Sequence, residues 1–265
     1  MEGVWIFPVL GVLAGILAGL LGIGGGLVLV AALAWILPLH GIPKEAAMHA
    51  ALASSLASIV LTATSSAYSH HRRGSVLWPT VAWMVPGLLL GGWLGSGLAV
   101  YLDDDVLRWI VAGYCFIAGA QMAFGNNAHP EGRGVAAPRG PVMSLAGSVV
   151  GAVSAVVGIG GGSMTVPLLV ARGVQPVRAV GTSSACGVAI GLASALGYAL
   201  HAPPGALPSH AIGYIYLPAA IGVAIASVIA APYGTKLAHR IGGKALKRVF
   251  AVFMVVMGIA IVASG

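Results

Sequence analysis

Two stretches decide how the rest of the chain is read: Leu21-Gly22-Ile23-Gly24-Gly25-Gly26 and Val157-Gly158-Ile159-Gly160-Gly161-Gly162. Each interrupts sequence that is otherwise apolar, running from about residue 4 to 38 and from about 141 to 171. A helix interior gains nothing from such a run, because each glycine there costs about 1 kcal/mol relative to alanine. The clusters therefore mark a broken helix or the tip of a hairpin. The apolar runs that follow, 27–38 and 163–171, are too short to cross a hydrocarbon core about 30 Å thick, which takes about 20 helical residues.

The first cluster maps onto the second with an offset of 136 residues, which also brings Gly15 onto Gly151 and Ala18 onto Ser154. Further along, an offset of 128 sets Ala53-Ser54-Ser55 against Gly181-Thr182-Ser183 and Ser66-Ala67 against Ser194-Ala195, which requires eight more residues after the first cluster. The chain thus reads as two copies of one unit, residues 1–124 and 141–265. The stretch 125–140 (GNNAHPEGRGVAAPRG) carries the breakers of a linker.

The remaining apolar segments, 46–69, 76–101, 106–124, 177–200, 211–232 and 245–264, give each copy three spans beside its glycine-tipped hairpin. Composition points the same way. With 58% hydrophobic and 7% charged residues, a water-soluble domain is excluded, and the apolar content suffices for about seven or eight crossings. Forty glycines in 265 residues predict a closely packed bundle. The expected fold is an all-α polytopic membrane protein in a lipid bilayer.

The net charge of +7 reads as topology rather than nucleic-acid binding, because the cations sit in short loops. His70-His71-Arg72-Arg73, Arg133, Arg139, Arg172, Arg178, Lys236, Arg240, Lys244, Lys247 and Arg248 belong on the cytoplasmic side by the positive-inside rule, with the linker; Asp103-Asp104-Asp105 and the His201 to His210 loop belong outside. Segment 46–69 then runs inward and 177–200 outward, and each hairpin returns to the side it entered. The two copies are expected to be inverted, with both termini external, in the cytoplasmic membrane of a bacterium or archaeon. Trp5, Trp35, Trp78, Tyr101, Trp109, Tyr214 and Tyr233 lie near segment ends, where aromatic rings favour the interface. Met1-Glu2-Gly3 lacks the basic region of a cleaved signal peptide, so the first segment is expected to be retained.

Inverted repeats with discontinuous helices are a transporter architecture. A helix starting after Gly26 or Gly162 would aim unpaired amides and about half a positive charge at a central cavity, and successive glycine amides form anion-holding nests. The candidate substrate-binding residues are Gly22, Gly24, Gly25, Gly26, Gly158, Gly160, Gly161 and Gly162, with the hydroxyls of Ser54, Ser55, Thr182, Ser183 and Ser184 as neutral donors. The competing reading is structural: glycines allow close helix packing, as Gly11, Gly15 and Gly19 are expected to do, and membrane Ser and Thr often bond their own backbone.

No Asp or Glu lies within an apolar segment, so a carboxylate proton relay or midplane sodium site is not expected. His49 is the candidate proton-linked group, weighed against a hydrogen-bonded structural histidine. His70 and His71 orient the helix end rather than bind metal. Cys115 and Cys186 have no zinc spacing and read as buried thiols, so no metal and no cofactor is expected. Neither glycine cluster is followed by Lys-Ser/Thr or completes GxGxxG, and HExxH and GxSxG do not occur; the chain has no catalytic residues to nominate and is not expected to be an enzyme.

The duplicated Gly-Ile-Gly-Gly-Gly, with Met164-Thr165-Val166-Pro167-Leu168-Leu169 and Ala179-Val180-Gly181-Thr182-Ser183 after the second copy and His70-Arg72-Arg73-Gly74 after the second long segment of the first, resembles the TauE/SafE sulfite exporter family of bacterial and archaeal membrane proteins. The sequence departs from the pattern in its first copy, where Ala53-Ser54-Ser55 stands in place of Gly-Thr-Ser. The resemblance implies transport of a small sulfur-containing anion such as sulfite, an organosulfonate or thiosulfate. An inside-negative potential favours anion exit by about 2.3 kcal/mol per charge per 100 mV, which tilts the reading to export by alternating access. Proton-coupled uptake is the alternative within transport, and a non-transporting scaffold or partner subunit the alternative of another class. The oligomeric state is left open.

Overall fold

The computed structural model describes residues 5–22, 25–124, 137–208, 210–241 and 243–263. Gly24 and most of the expected linker lie outside them. Ten α-helices occur among the described residues: α1 (Ile6–Leu21), α2 (Gly26–Ile36), α3 (Ala47–His71), α4 (Trp78–Val100), α5 (Asp104–Phe124), α6 (Pro141–Val157), α7 (Gly162–Ala171), α8 (Pro176–Leu200), α9 (Leu217–Ala238) and α10 (Gly243–Val262). The lengths repeat in order: 16, 11, 25, 23 and 21 residues, then 17, 10, 25, 22 and 20. Proline opens α4, α6, α8 and α9 within their first two positions, where its missing N–H is no loss. Asp104 and Asp105 sit at the positive end of α5.

The first five helices and the last five, each set taken as one half of the described chain, are interleaved. Helix α1 packs along α9, and α4 along α6, so the first helix of each half lies on the fourth of the other. Small residues make both contacts possible. A methyl group at Gly15 would lie 2.5 Å from the Ser227 carbonyl oxygen, and one at Gly95 would lie 2.5 Å from that of Ala152. Gly11, Gly15 and Gly19 meet Val223, Ser227 and Ala231 in turn, so α1 and α9 run parallel; Gly87, Gly91 and Gly95 meet Ser144, Ser148 and Ala152, so α4 and α6 do too. The long helices α3 and α8 cross the centre antiparallel, with Ser66 on Ser184, Gly191 near Leu56 and Gly181 near His70. Both are buried along most of their length.

These directions sort the charges by end. Thr80 bonds the Pro138 carbonyl, Arg172 contacts Met143 and His70 lies 5.3 Å from His239, which gathers Arg72, Arg73, Arg139, Arg172, Arg178, Lys236 and Arg240 at one end of the bundle. Asp103, Asp104 and Asp105 lie at the other, beside the start of α3. Phe7 at the start of α1 stacks at 5.3 Å on His40, just beyond α2, so that hairpin opens and closes at the acidic end. The Arg172 to Met143 contact does the same for α6 and α7 at the basic end.

Four helical stretches are long and apolar enough to cross a membrane by length and composition: Lys44–His71, Trp78–Val100, Pro176–Leu200 and Leu217–Ala238. Exposed Leu90, Leu94 and Leu98 on α4 and Ile221, Ile225 and Ile229 on α9 give outward apolar stripes suited to lipid. The protein is a polytopic, all-α membrane protein.

Two local expectations are corrected. The segment at 211–232 begins as a small antiparallel hairpin, Ala211–Ile212 with Ile215–Tyr216, and the helix starts only at Leu217 and continues past Pro232 to Ala238. Gly213 forms the turn at φ +56°, where a side chain would meet the Ala199 and Tyr198 carbonyls. Tyr214 in that turn is buried and stacks on His49 at 4.8 Å rather than lying at an interface, unlike the exposed Trp5, Trp35, Trp78, Tyr101, Trp109 and Tyr233.

Candidate functional site

The described ends of the first glycine cluster match those of the second. Gly22 and Gly158 end α1 and α6 at φ +71° and +76°, and their amides donate back to Ala18 and Ser154 across 2.9 Å. Gly25 and Gly161 precede α2 and α7 at φ +72° and +76°. Four equivalent positions in the left-handed region explain the residue type, since a Cβ there costs about 1–2 kcal/mol. Gly25 is also pressed against the Ala14 carbonyl and Gly161 against Ile190.

Each tip is held by the opposite half. Ser183 donates to the Gly22 carbonyl across 3.0 Å, and Ser55 to the Gly158 carbonyl across 3.2 Å and the Gly26 carbonyl across 3.1 Å. One position earlier, Thr182 accepts the Leu77 amide ahead of α4 at 3.0 Å, and Ser54 accepts the Tyr216 amide ahead of α9 at 2.9 Å. A third pair follows: His70 Nε2 donates to the Gly19 carbonyl and the Tyr198 hydroxyl to that of Ala155, each across 3.2 Å. The long-helix members of all three pairs stand 128 residues apart, and the hairpin members of the first and third stand 136 apart, while Leu77 and Tyr216 of the second stand 139 apart.

The hydroxyls expected as anion donors are thus engaged with protein. Ser55 and Ser183 give their protons to tip carbonyls, Thr182 to Arg178 and Ser184 to Val180, with Ser66 beside it. The glycines do come together: Gly26 lies against the Gly158 carbonyl, and Gly187 of α8 against that of Gly160. Around the second tip the polar groups are not all engaged. Among the described residues, the amides of Gly160, Gly161, Gly162 and Ser163 have no acceptor, as expected of a helix start without a side-chain cap. The hydroxyls of Ser154 and Thr165 are fully buried and unpartnered. Ser163 on the same turn bonds the Tyr114 hydroxyl of α5 at 2.5 Å. Ser154 was visible in the sequence as the residue opposite Ala18; Tyr114 had no signal, because only the packing of α5 brings it near.

A second polar cluster lies at the acidic end. The Asp104 carboxylate accepts the Met48 and His49 amides at 2.9 and 3.1 Å, so it caps α3 from another helix. His49 Nδ1 lies 3.0 Å from Asp104 Oδ1 and Nε2 lies 3.1 Å from the Ala99 carbonyl. A carbonyl and a carboxylate only accept, so the imidazole donates to Ala99 through Nε2 in one tautomer and to Asp104 through Nδ1 in the other. Arg108 reaches Asp104 at 3.8 Å and Asp105 at 2.6 Å. In the sequence Asp104 lies outside the apolar segments. It is the first residue of α5 and is buried, which the sequence did not signal because α3 and α5 meet only through the fold.

The family profile described as "Sulfite exporter TauE/SafE" matches residues 7–261. A "Probable membrane transporter protein" of Haemophilus influenzae is 33% identical over 94% of this chain and 94% of its own length. A protein of the same description from Methanocaldococcus jannaschii is 25% identical over 95% and 92%, and one from Xylella fastidiosa 28% identical over 72% of each chain. No solved structure matches.

Proposed function

The chain belongs to the sulfite exporter TauE/SafE family of membrane transporters, and from that premise we propose that it exports a small sulfur-containing anion, sulfite or an organosulfonate, by alternating access between two inverted halves. The family supplies the anion class. Residues 1–124 and 141–265 form the halves, joined by a cytoplasmic linker, with the basic end of the bundle cytoplasmic and both termini external in the inner membrane. Opposed directions support the inversion: α1 follows α9, α4 follows α6, and α3 opposes α8. Such halves rock against each other around a site at the broken helices.

The observation that carries the proposal is the pair of left-handed glycine turns, each tied to the opposite half by one serine. Non-helical backbone at membrane depth is tolerated where it lines a cavity or is buried in protein, and the unpaired amides at the start of α7 point the positive end of a helix at the tip region. An anion there is held by directed dipoles, with no buried Arg or Lys required. Sulfite efflux from proteoliposomes under a set membrane potential, with sulfate, thiosulfate and taurine as competitors, tests this directly. Efflux that grows with an inside-negative potential supports export, and no flux of any of these anions refutes it.

The His49 and Asp104 pair favours a second reading, proton-coupled uptake, because it places an imidazole 3.0 Å from a buried carboxylate in the bundle. Accumulation driven by a pH gradient in vesicles, lost on His49→Gln, distinguishes uptake from export.

A further inference from the structure

We infer that the chain binds one anion at a single, asymmetric site on the second hairpin, with the Ser154 and Thr165 hydroxyls as direct donors; this rests on the anion-transport reading above. The two halves share backbone geometry at their tips but not side chains. Where the second hairpin has Ser154, the first has Ala18, and where the second has Thr165, the first has Leu29. The amides of Gly22 and Gly158 bond back to Ala18 and Ser154 in the same way, so these positions are geometrically equivalent and differ only in the hydroxyl.

Both hydroxyls are fully buried, and neither has a partner. Other buried hydroxyls nearby, Ser55, Thr182, Ser183 and Ser184, each bond a carbonyl, which is the ordinary outcome for serine and threonine in a helix. A buried hydroxyl left without a partner is destabilising, and among the described residues neither of these has one, so two such groups at one turn call for a ligand. Ser154 Oγ would lie 3.4 Å from a Cβ at Gly161, which puts it directly against the turn. Thr165 lies one turn into α7, and helical side chains lean toward the N-terminus, so its hydroxyl leans toward the same end.

Together with the unpaired amides of Gly162 and Ser163, this is a set of neutral donors around one point at the positive end of a ten-residue helix. Donors without a full positive charge suit an oxyanion that must leave again. The ligand class is a small sulfur oxyanion that presents two or more oxygens. The first hairpin carries alanine and leucine at these places and offers no such hydroxyls.

The test is thermal unfolding of the purified protein in detergent, titrated with sulfite, thiosulfate and sulfoacetate, for the wild type and for Ser154→Ala, Thr165→Val and Ser55→Ala, with proteoliposome flux of the same anions. The wild type is expected to be stabilised by at least one of them. S154A and T165V should unfold at or above the wild-type temperature without anion, because each removes an unsatisfied group, while needing about tenfold more anion for the same stabilisation. S55A should unfold earlier, because two tip carbonyls lose their donor. If wild-type flux is present and both S154A and T165V retain wild-type anion response and flux, the site is wrong and the transport reading stands. If the wild type neither responds to nor moves any of the three, both fall.

Discussion

The Ser183 hydroxyl donates to the Gly22 carbonyl across 3.0 Å, joining the centre of the second half to the tip of the first. Ser55 and Gly158 repeat the tie in the opposite sense. Each hairpin tip is thus bonded to the half that does not contain it in sequence, and the first tip is also bonded to its own half through Ser55 and the Gly26 carbonyl.

Ser183→Ala and Ser55→Ala are expected to lower stability by about 1 kcal/mol each, since each leaves a tip carbonyl short of a donor in a buried setting. Thermal unfolding in detergent measures this. The double variant is expected to depart from the sum, because the tips touch where Gly26 meets the Gly158 carbonyl. An unchanged unfolding temperature in both would show that the ties carry no energy.

Gly25→Val and Gly161→Val should abolish transport while membrane insertion is largely retained. Both positions require positive φ, and a β-branched residue there meets Ala14 or Ile190 as well. Surface expression and flux measured on the same vesicles separate the two effects, and wild-type flux in folded variants would end the role of the turns in binding.

Gly15→Leu and Gly91→Leu lie far from the tip chemistry but on the α1 with α9 and α4 with α6 contacts, where added side chains meet the Ser227 and Ser148 carbonyls. Loss of folded protein on size-exclusion chromatography is the expected result, because backbones this close have no room to relax. Normal recovery of either variant would mean that the halves are not clasped through these faces.

Removing one partner of the His49 and Asp104 pair should destabilise by about 3 kcal/mol, because the other is left buried and unpaired and α3 loses its cap. Asp104→Asn is the milder change, as the amide oxygen still accepts the Met48 N–H. Its unfolding temperature should lie between those of the wild type and Asp104→Ala; equal losses would argue that charge rather than hydrogen bonding matters.

Single cysteines at positions 103 and 139, with Cys115 and Cys186 replaced by serine, should be labelled by an impermeant reagent from opposite faces of the membrane. The charge sorting places Asp103 at the acidic end and Arg139 at the basic end. Labelling of both from one face would overturn the topology.

The hairpin breaks and nearly all helix ends were legible because they rest on local causes: glycine's access to positive φ, proline in the first turn, and apolar runs of membrane length. The same chemistry fixed the two offsets, and the cross-half bonds of Ser55 and Ser183 follow them. The roles of individual polar groups were not legible. A serine in an apolar segment reads alike whether its proton meets a carbonyl, as at Ser183, or nothing, as at Ser154. Asp104 looked like a loop residue until α5 met α3, and Tyr214 like an interface residue until it stacked on His49. Backbone preferences depend on neighbours a few positions away, which the sequence contains; the partner of a buried donor is set by residues a hundred positions distant, which only the packed structure brings within 3 Å.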